Sequence, residues 1–242
     1  MIDTHCHLLP GLDDGPRSEL DAVRMARQLV RFGVKEVVCT PHYSRRYPTS
    51  TFAAADRRSD LIRALSALEI ELETHLAAEV HPELVLTAPG SELLHRSLPG
   101  GFLLVELIAS TPARFVSAAL ERLGALELLP VFAHPERCHA VQRRPELLDE
   151  PRAAGALVQI VGPSLLTGRD RSVTTAAWNL LDAGRADLLA TDAHTARGTR
   201  TQLAPLGDLV ARRYGHAAVE QLTLTNAWRL LGRRAPSAAL DQ

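Results

Sequence analysis

Lysine is almost missing from this chain. Lys35 is the only one among 27 basic residues, and the rest are arginine. Against 28 acidic residues this leaves a formal net charge of −1, so electrostatics make no case for nucleic acid or an anionic membrane. Guanidinium suits bidentate phosphate recognition, but an arginine-rich composition by itself explains most of these residues. Cysteine is also scarce. Cys6, Cys39 and Cys138 are an odd, scattered set that builds no disulfide framework and fits a reducing compartment. No stretch approaches the ~20 apolar residues of a membrane span. The first residues have neither the basic nor the apolar region of a signal peptide, so the expected location is the cytoplasm, without membrane insertion. Internal repeats and Pro-, Gly- or Ser-rich linkers are absent as well, which makes residues 1–242 one expected domain, frayed at about 235–242.

Hydrophobic residues make up 46% of the chain, enough for a sizeable core. Short apolar runs alternate with longer amphipathic stretches. The runs are Met1–Thr4, Val34–Cys39, Leu76–Glu79, Phe102–Leu107, Leu129–Ala133, Ala156–Val161 and Asp187–Thr191. Helical periodicity falls on Ser18–Phe32, Phe52–Leu68, Pro112–Leu123, Pro145–Ala153, Val173–Ala183 and Thr199–Tyr214, and His216–Leu231 reads as one or two closing helices. Strand, helix, strand in this order predicts parallel strands with right-handed crossovers. Seven of them predict an α/β fold, a closed or nearly closed (β/α) barrel. The alternative is an open doubly wound sheet, whose usual G-x-G-x-x-G turn is missing.

Residues that bind metals fall where these runs end. His5 and His7 close the first, His42 follows the second, and Glu79, Glu106 and His134 close the third, fourth and fifth. Asp192 and His194 close the seventh. Strand ends of a barrel converge on one rim, which is where barrel enzymes place their chemistry. Residues i and i+2 of a strand share a side, so each pair projects together. Glu106 lies in an apolar run, where a lone ionised carboxylate is costly unless paired or bound to metal. Mixed imidazole and carboxylate ligands suit manganese, iron or zinc. Taken singly, each residue has an ordinary explanation: a capping or core histidine, an Arg-paired glutamate, or, for Asp13-Asp14-Gly15-Pro16, a turn before a helix. The remaining histidines, His75, His81, His95, His139 and His216, read as structural or surface residues, with His81 and His139 nearest the site.

Cys39/Arg45 and Cys138/Arg144 match the Cys-x5-Arg spacing of cysteine-based phosphatases. With arginine so common the match is weak, and Pro41 removes an amide that a phosphate cradle would use.

Met1-Ile2-Asp3-Thr4-His5-Cys6-His7, Asp13-Asp14-Gly15-Pro16, Thr40-Pro41-His42, Ala78-Glu79, Val105-Glu106, Ala133-His134-Pro135-Glu136-Arg137 and Thr191-Asp192-Ala193-His194 together resemble the polymerase and histidinol phosphatase (PHP) superfamily. Within it, they resemble the bacterial PHP-type tyrosine phosphatases of capsule and exopolysaccharide loci. The resemblance implies a distorted, TIM-like seven-stranded barrel holding three manganese ions, with iron, zinc or magnesium as substitutes. His5, His7, Glu79 and Asp192 would hold one ion, and Glu79 would bridge to a second held by Glu106 and His134. Asp14, His42 and His194 would hold the third. Arg137 and Arg200 would meet the substrate phosphate, with Arg197 the rival to Arg200. The implied activity is hydrolysis of phosphotyrosine by metal-activated water, with a bacterial tyrosine autokinase as substrate. A small-molecule phosphatase such as histidinol phosphatase, or a non-catalytic metal-stabilised regulator, are the alternatives.

Overall fold

The computed structural model describes residues 1–166, 170–198 and 201–233. The expected frayed tail and Arg200 lie outside these residues. Among the described residues there are nine strands: β1 (Ile2–Cys6), β2 (Glu36–Cys39), β3 (His42–Tyr43), β4 (Glu73–Leu76), β5 (Glu79–Val80), β6 (Phe102–Glu106), β7 (Leu129–Ala133), β8 (Leu157–Val161) and β9 (Leu188–Ala190). All pairings within the sheets are parallel, in a three-stranded sheet of order β1-β2-β4 and a six-stranded sheet of order β3-β5-β6-β7-β8-β9. Chain order runs through both sheets without the reversal that defines a doubly wound sheet.

The expected seven strands appear as nine because two strand paths break. Pro41 has no N–H to continue the ladder between β2 and β3. Between β4 and β5 the Ala78 N–H turns away to the Arg96 carbonyl. Backbone bonds span both breaks: Ala77 N–H donates to Cys39 O at 3.0 Å and Glu79 N–H to Pro41 O at 3.2 Å. At the other end of the array, His7 N–H donates to Ala193 O and Asp192 N–H to His5 O, both at 2.9 Å. These two bonds tie β1 to the segment after β9.

Side-chain alternation along the strands explains where the polar residues go. On one face, Ile2, Val38, Ala77, Phe102, Leu104, Val131, Leu157 and Leu188 pack together with Ala227 and Leu230 of the helix Asn226–Leu230. The opposite face, with Val37, Leu103, Val105, Phe132, Val158 and Leu189, packs on the flanking helices. Burial on both faces is why these strands read as continuous apolar runs. Carried two residues at a time toward the strand ends, the first face becomes His42, Glu79, Glu106, Gln159 and Asp192.

The helices follow their local signals closely. Glu19–Arg31 starts at Ser18, whose hydroxyl accepts from Asp21 N–H at 3.2 Å, and stops before Gly33 at φ +85°. The later long helices are Thr51–Ala67, Arg114–Gly124, Arg171–Asp182 and Leu203–Tyr214, while the expected helix Pro145–Ala153 is a 3-10 turn, Pro145–Leu148, followed by a short helix, Asp149–Ala153. Two short helices, Pro82–Thr87 and Gly90–Leu94, carry no helical signal in the sequence, and His216–Leu230 contains a π-helical turn at Gln221–Thr225. No helix among the described residues is long and apolar enough to cross a membrane.

Gly100 donates its N–H to Leu230 O at 2.8 Å, and a Cβ there would collide with the Arg229 carbonyl oxygen. Gly100→Ala is therefore expected to cost about 1–3 kcal/mol. It should read as a lower urea midpoint with an unchanged slope.

Candidate metal centre

Strand β1 is not a regular strand, and the irregularity shapes the site. Its pairing with β2 slips between Asp3 and Cys6, a bulge that redirects side chains. Thr4 and His5 consequently both reach Gln159: Gln159 Nε2 donates to Thr4 Oγ1 at 2.8 Å, and His5 Nδ1 lies 2.8 Å from Gln159 Oε1. Cys6 turns into the opposite core, and His7 comes back beside His5 with 3.2 Å between their Nε2 atoms. His134 and Asp192 sit in left-handed backbone conformations, at φ +36° and +52°. A non-glycine residue in this region is strained and persists only where surrounding structure holds it. The turns aim both side chains back over the strand ends.

Glu79 is the hub. It is 1% exposed, and four imidazoles surround it. His134 Nε2 lies 2.7 Å from its Oε1, while His42 Nδ1, His7 Nε2 and His5 Nε2 lie 3.0, 3.3 and 3.4 Å from its Oε2. Asp192 Oδ1 approaches His5 and His7 at 3.4 and 3.6 Å. Asp14 Oδ1 approaches His194 and His42 at 3.3 and 3.5 Å. Donor atoms converge in overlapping groups: His5, His7 and Asp192; His5, Glu79 and His134; His42, Glu79 and Glu106; and His7, Asp14, His42 and His194. All nine sequence-predicted ligand residues are thus brought into one place. His7 also reaches the group holding Asp14, His42 and His194.

The donors fit metal better than they fit one another. Glu79 Oε2 and His134 Nδ1 are buried without a hydrogen-bond partner, although Glu79 Oε2 is crowded by nitrogens. Two ligands sharing one ion at about 2.1 Å would stand about 3.0–3.4 Å apart. That is the spacing seen here between His5, His7 and Glu79 Oε2.

Electrostatics without a cation are tense. Burial pushes Glu79 upward, but the charge of His5 and the contacts from His134 and His42 hold its carboxyl well below the usual range. Burial, and then the charge of Glu79, raises Glu106. His7, His42 and His134 are all raised despite burial, chiefly by carboxylate contacts with Asp13 or Glu79. His194 goes the other way, down to about 4, through burial and the neighbouring charge of His7.

Several supporting residues fall outside the sequence-predicted set. Asp13, a turn residue by its sequence, accepts from His42 N–H at 2.9 Å and lies 2.7 Å from His7 Nδ1. Burial opposes its ionisation, yet His7 holds its carboxyl down to about 2. Gly15 follows from the same packing, since a Cβ there would meet His7 O at 2.5 Å. Asp3 accepts from Thr191 N–H and Oγ1 at 3.0 and 2.5 Å, fastening the β1–β9 seam. Asp3 and Gln159 carry a legible signal, a polar residue inside an apolar run, the same signal that identifies Glu106.

A cleft of about 950 Å³ opens beside this cluster. Arg137 lies at its edge, 2.8 Å from Asp192 Oδ2, with its side chain 38% exposed. Arg197 also lines the cleft, while its rival Arg200 lies outside the described residues. Pro163, Leu166, Val173 and Thr174 form the far wall. The cysteines do not take part. All three are buried, and burial raises the thiols of Cys6 and Cys39, the latter to about 12.

The family model for capsular polysaccharide synthesis, CpsB/CapC, matches residues 1–232. The chain belongs to this family. Tyrosine-protein phosphatase YwqE of Bacillus subtilis is 27% identical over 208 residues, covering 81% of this chain and 78% of its own. Tyrosine-protein phosphatase CpsB of Streptococcus agalactiae is 25% identical over 245 residues, covering 96% and 98%. Among solved structures, work on YwqE from Bacillus subtilis and CpsB from Streptococcus pneumoniae, described as unique metal-dependent tyrosine phosphatases, supplies a match at TM-score 0.84. It has 26% identity and covers 97% of this chain and 96% of that one. A dihydropyrimidinase from Brevibacillus agri, at TM-score 0.59 and 11% identity, shares the fold alone.

The hold of Asp13 on His7 can be tested by substitution. Asp13→Asn should weaken metal binding about 10–100-fold by releasing His7, measured by competition against a chelating dye, with the circular dichroism unchanged. Because carboxylates raise His7, His42 and His134 above 6.5, cations must displace protons there. Apparent metal affinity should therefore fall as pH is lowered, beginning above 6.5. Calorimetry in buffers of different ionisation enthalpy should register the proton release.

Proposed function

We propose that this chain is a manganese-dependent tyrosine-protein phosphatase, soluble in the cytoplasm, acting on a bacterial tyrosine autokinase in capsule or exopolysaccharide regulation. The observation that carries this reading is the convergence of nine His, Asp and Glu side chains in one cluster, seven of them lining a cleft with a partly exposed guanidinium, Arg137, at its edge. Family membership and the phosphatase relatives support it. Three ions would be held as follows: one by His5, His7, Glu79 and Asp192, a second by Glu79, Glu106 and His134, and the third by Asp14, His42 and His194. The fold is read as a distorted seven-stranded (β/α) barrel, supported by the bonds across the β2/β3 and β4/β5 breaks and by the β1–β9 seam.

When bound, the ions supply Lewis acidity, which lowers the pKa of a water and polarises phosphoryl oxygens. The chain's own residues do the rest. Arg137, oriented by Asp192, offers its remaining N–H groups to the phosphate and offsets charge that grows during transfer. Arg197, which lines the cleft, would add a second guanidinium; its rival Arg200 lies outside the described residues. On the far wall Pro163, Leu166 and Val173 offer apolar surface that suits a phenyl ring. Asp13 and Gln159 hold His7 and His5 in their orientations.

Chelator treatment should abolish hydrolysis of a phosphotyrosine peptide, and manganese should restore it. Histidinol phosphate assayed alongside should be the poorer substrate. Activity that persists in chelator, or that iodoacetamide alone removes, would contradict the proposal. Metal binding without turnover would favour the regulator. His5→Ala should abolish turnover in a folded protein, while Cys6→Ser should change it far less.

A further inference from the structure

A second cavity, of about 240 Å³, lies outside the metal cleft and is lined by Ser110, Thr111, His139, Arg143 and Arg144 among others. Every charged or titratable group in its lining is basic: His139, Arg143 and Arg144. All three are exposed, and among the described residues none is ion-paired with an acid. Basic side chains without acidic partners around one concave lining are an arrangement completed by an anion.

The cavity adjoins the cleft. His139 stands two residues beyond Arg137 and is anchored by its N–H to Ala109 O at 3.1 Å, in the segment that follows Glu106 of β6. His139 lies within electrostatic reach of Asp170, which lines the cleft. An extended peptide spans about 3.3 Å per residue, so a phosphotyrosine seated in the cleft brings its close neighbours within reach of this cavity.

We propose that His139, Arg143 and Arg144 form an anion subsite that binds a carboxylate or a second phosphate flanking the phosphotyrosine of the substrate peptide. The proposal rests on the phosphopeptide reading above and adds to it a preference for anionic flanks. Of the two anions, a dianionic phosphate is preferred, because two guanidinium groups are available to share its oxygens.

The test uses the full chain and three fluorescein-labelled phosphotyrosine peptides of equal length, flanked by Gln, by Glu or by a second phosphotyrosine. Binding is measured by anisotropy on the manganese-loaded chain with the same peptides carrying a non-hydrolysable phosphonate in place of the phosphate ester, and hydrolysis is measured separately on the phosphotyrosine peptides. The wild type should bind the Glu-flanked peptide about tenfold tighter than the Gln-flanked one, and the doubly phosphorylated peptide tighter still. Arg143→Gln with Arg144→Gln should erase these differences while hydrolysis of p-nitrophenyl phosphate, which has no flanks, stays at the wild-type rate. A charge-matched control, Arg24→Gln with Arg27→Gln on the helix Glu19–Arg31, should keep the preference. Equal binding of all three peptides by the wild type would overturn the subsite, and so would an equal loss in the control. Failure of the phosphatase reading would appear separately, as absent turnover of both peptide and p-nitrophenyl phosphate despite an intact flank preference.

Discussion

A carboxylate removed from water stays ionised only if positive charge or hydrogen-bond donors surround it. Glu79 meets that condition through His5, His7, His42 and His134, which come from three separate strand ends besides its own. The rest of the site depends on this arrangement. The imidazoles that hold Glu79 are themselves held from behind, His7 by Asp13 and His5 by Gln159. Gln159 in turn is tied to Thr4, and Asp13 to the His42 backbone. Carboxylate contacts raise His7, His42 and His134 in the absence of cations, so cations taking these nitrogens as ligands would displace protons and couple folding to metal binding.

The strands build the cluster from a simple gradient. One face begins apolar, against the helix Asn226–Leu230, and ends polar two to four residues later. Three departures from regular backbone complete it: the bulge in β1 and the left-handed turns at His134 and Asp192. Each spends local strain to point a donor at the centre, and the dense core beneath, with Phe132 and Leu104 fully buried, holds the strain in place.

Much of this site is legible in the amino-acid sequence. Donor residues at the ends of apolar runs stand out, because a parallel strand buried on both faces reads as an apolar block. All nine candidate ligands emerge this way or through the family resemblance. What stays hidden depends on contacts distant in sequence. Asp13 looks like turn chemistry until His7 and His42 are seen on its carboxylate. The bulge in β1 exists only relative to β2, so no single-strand pattern announces it. The strand breaks at Pro41 and Ala78 shorten β2 to β5, and the helices Pro82–Thr87 and Gly90–Leu94 are too short for a periodic signal. The Cys-x5-Arg matches show the reverse case, a legible motif whose thiols the fold buries.

The central claim is that Glu79 is shared between ions that the surrounding histidines and carboxylates divide among themselves. Crystals grown with manganese, with anomalous difference maps recorded at the manganese edge, test it most directly. The account predicts three separate peaks within the cleft, two of them bridged by the Glu79 carboxylate and the third beside Asp14, His42 and His194. A single peak, or peaks that leave Glu79 uncoordinated and still paired to His134, would contradict it.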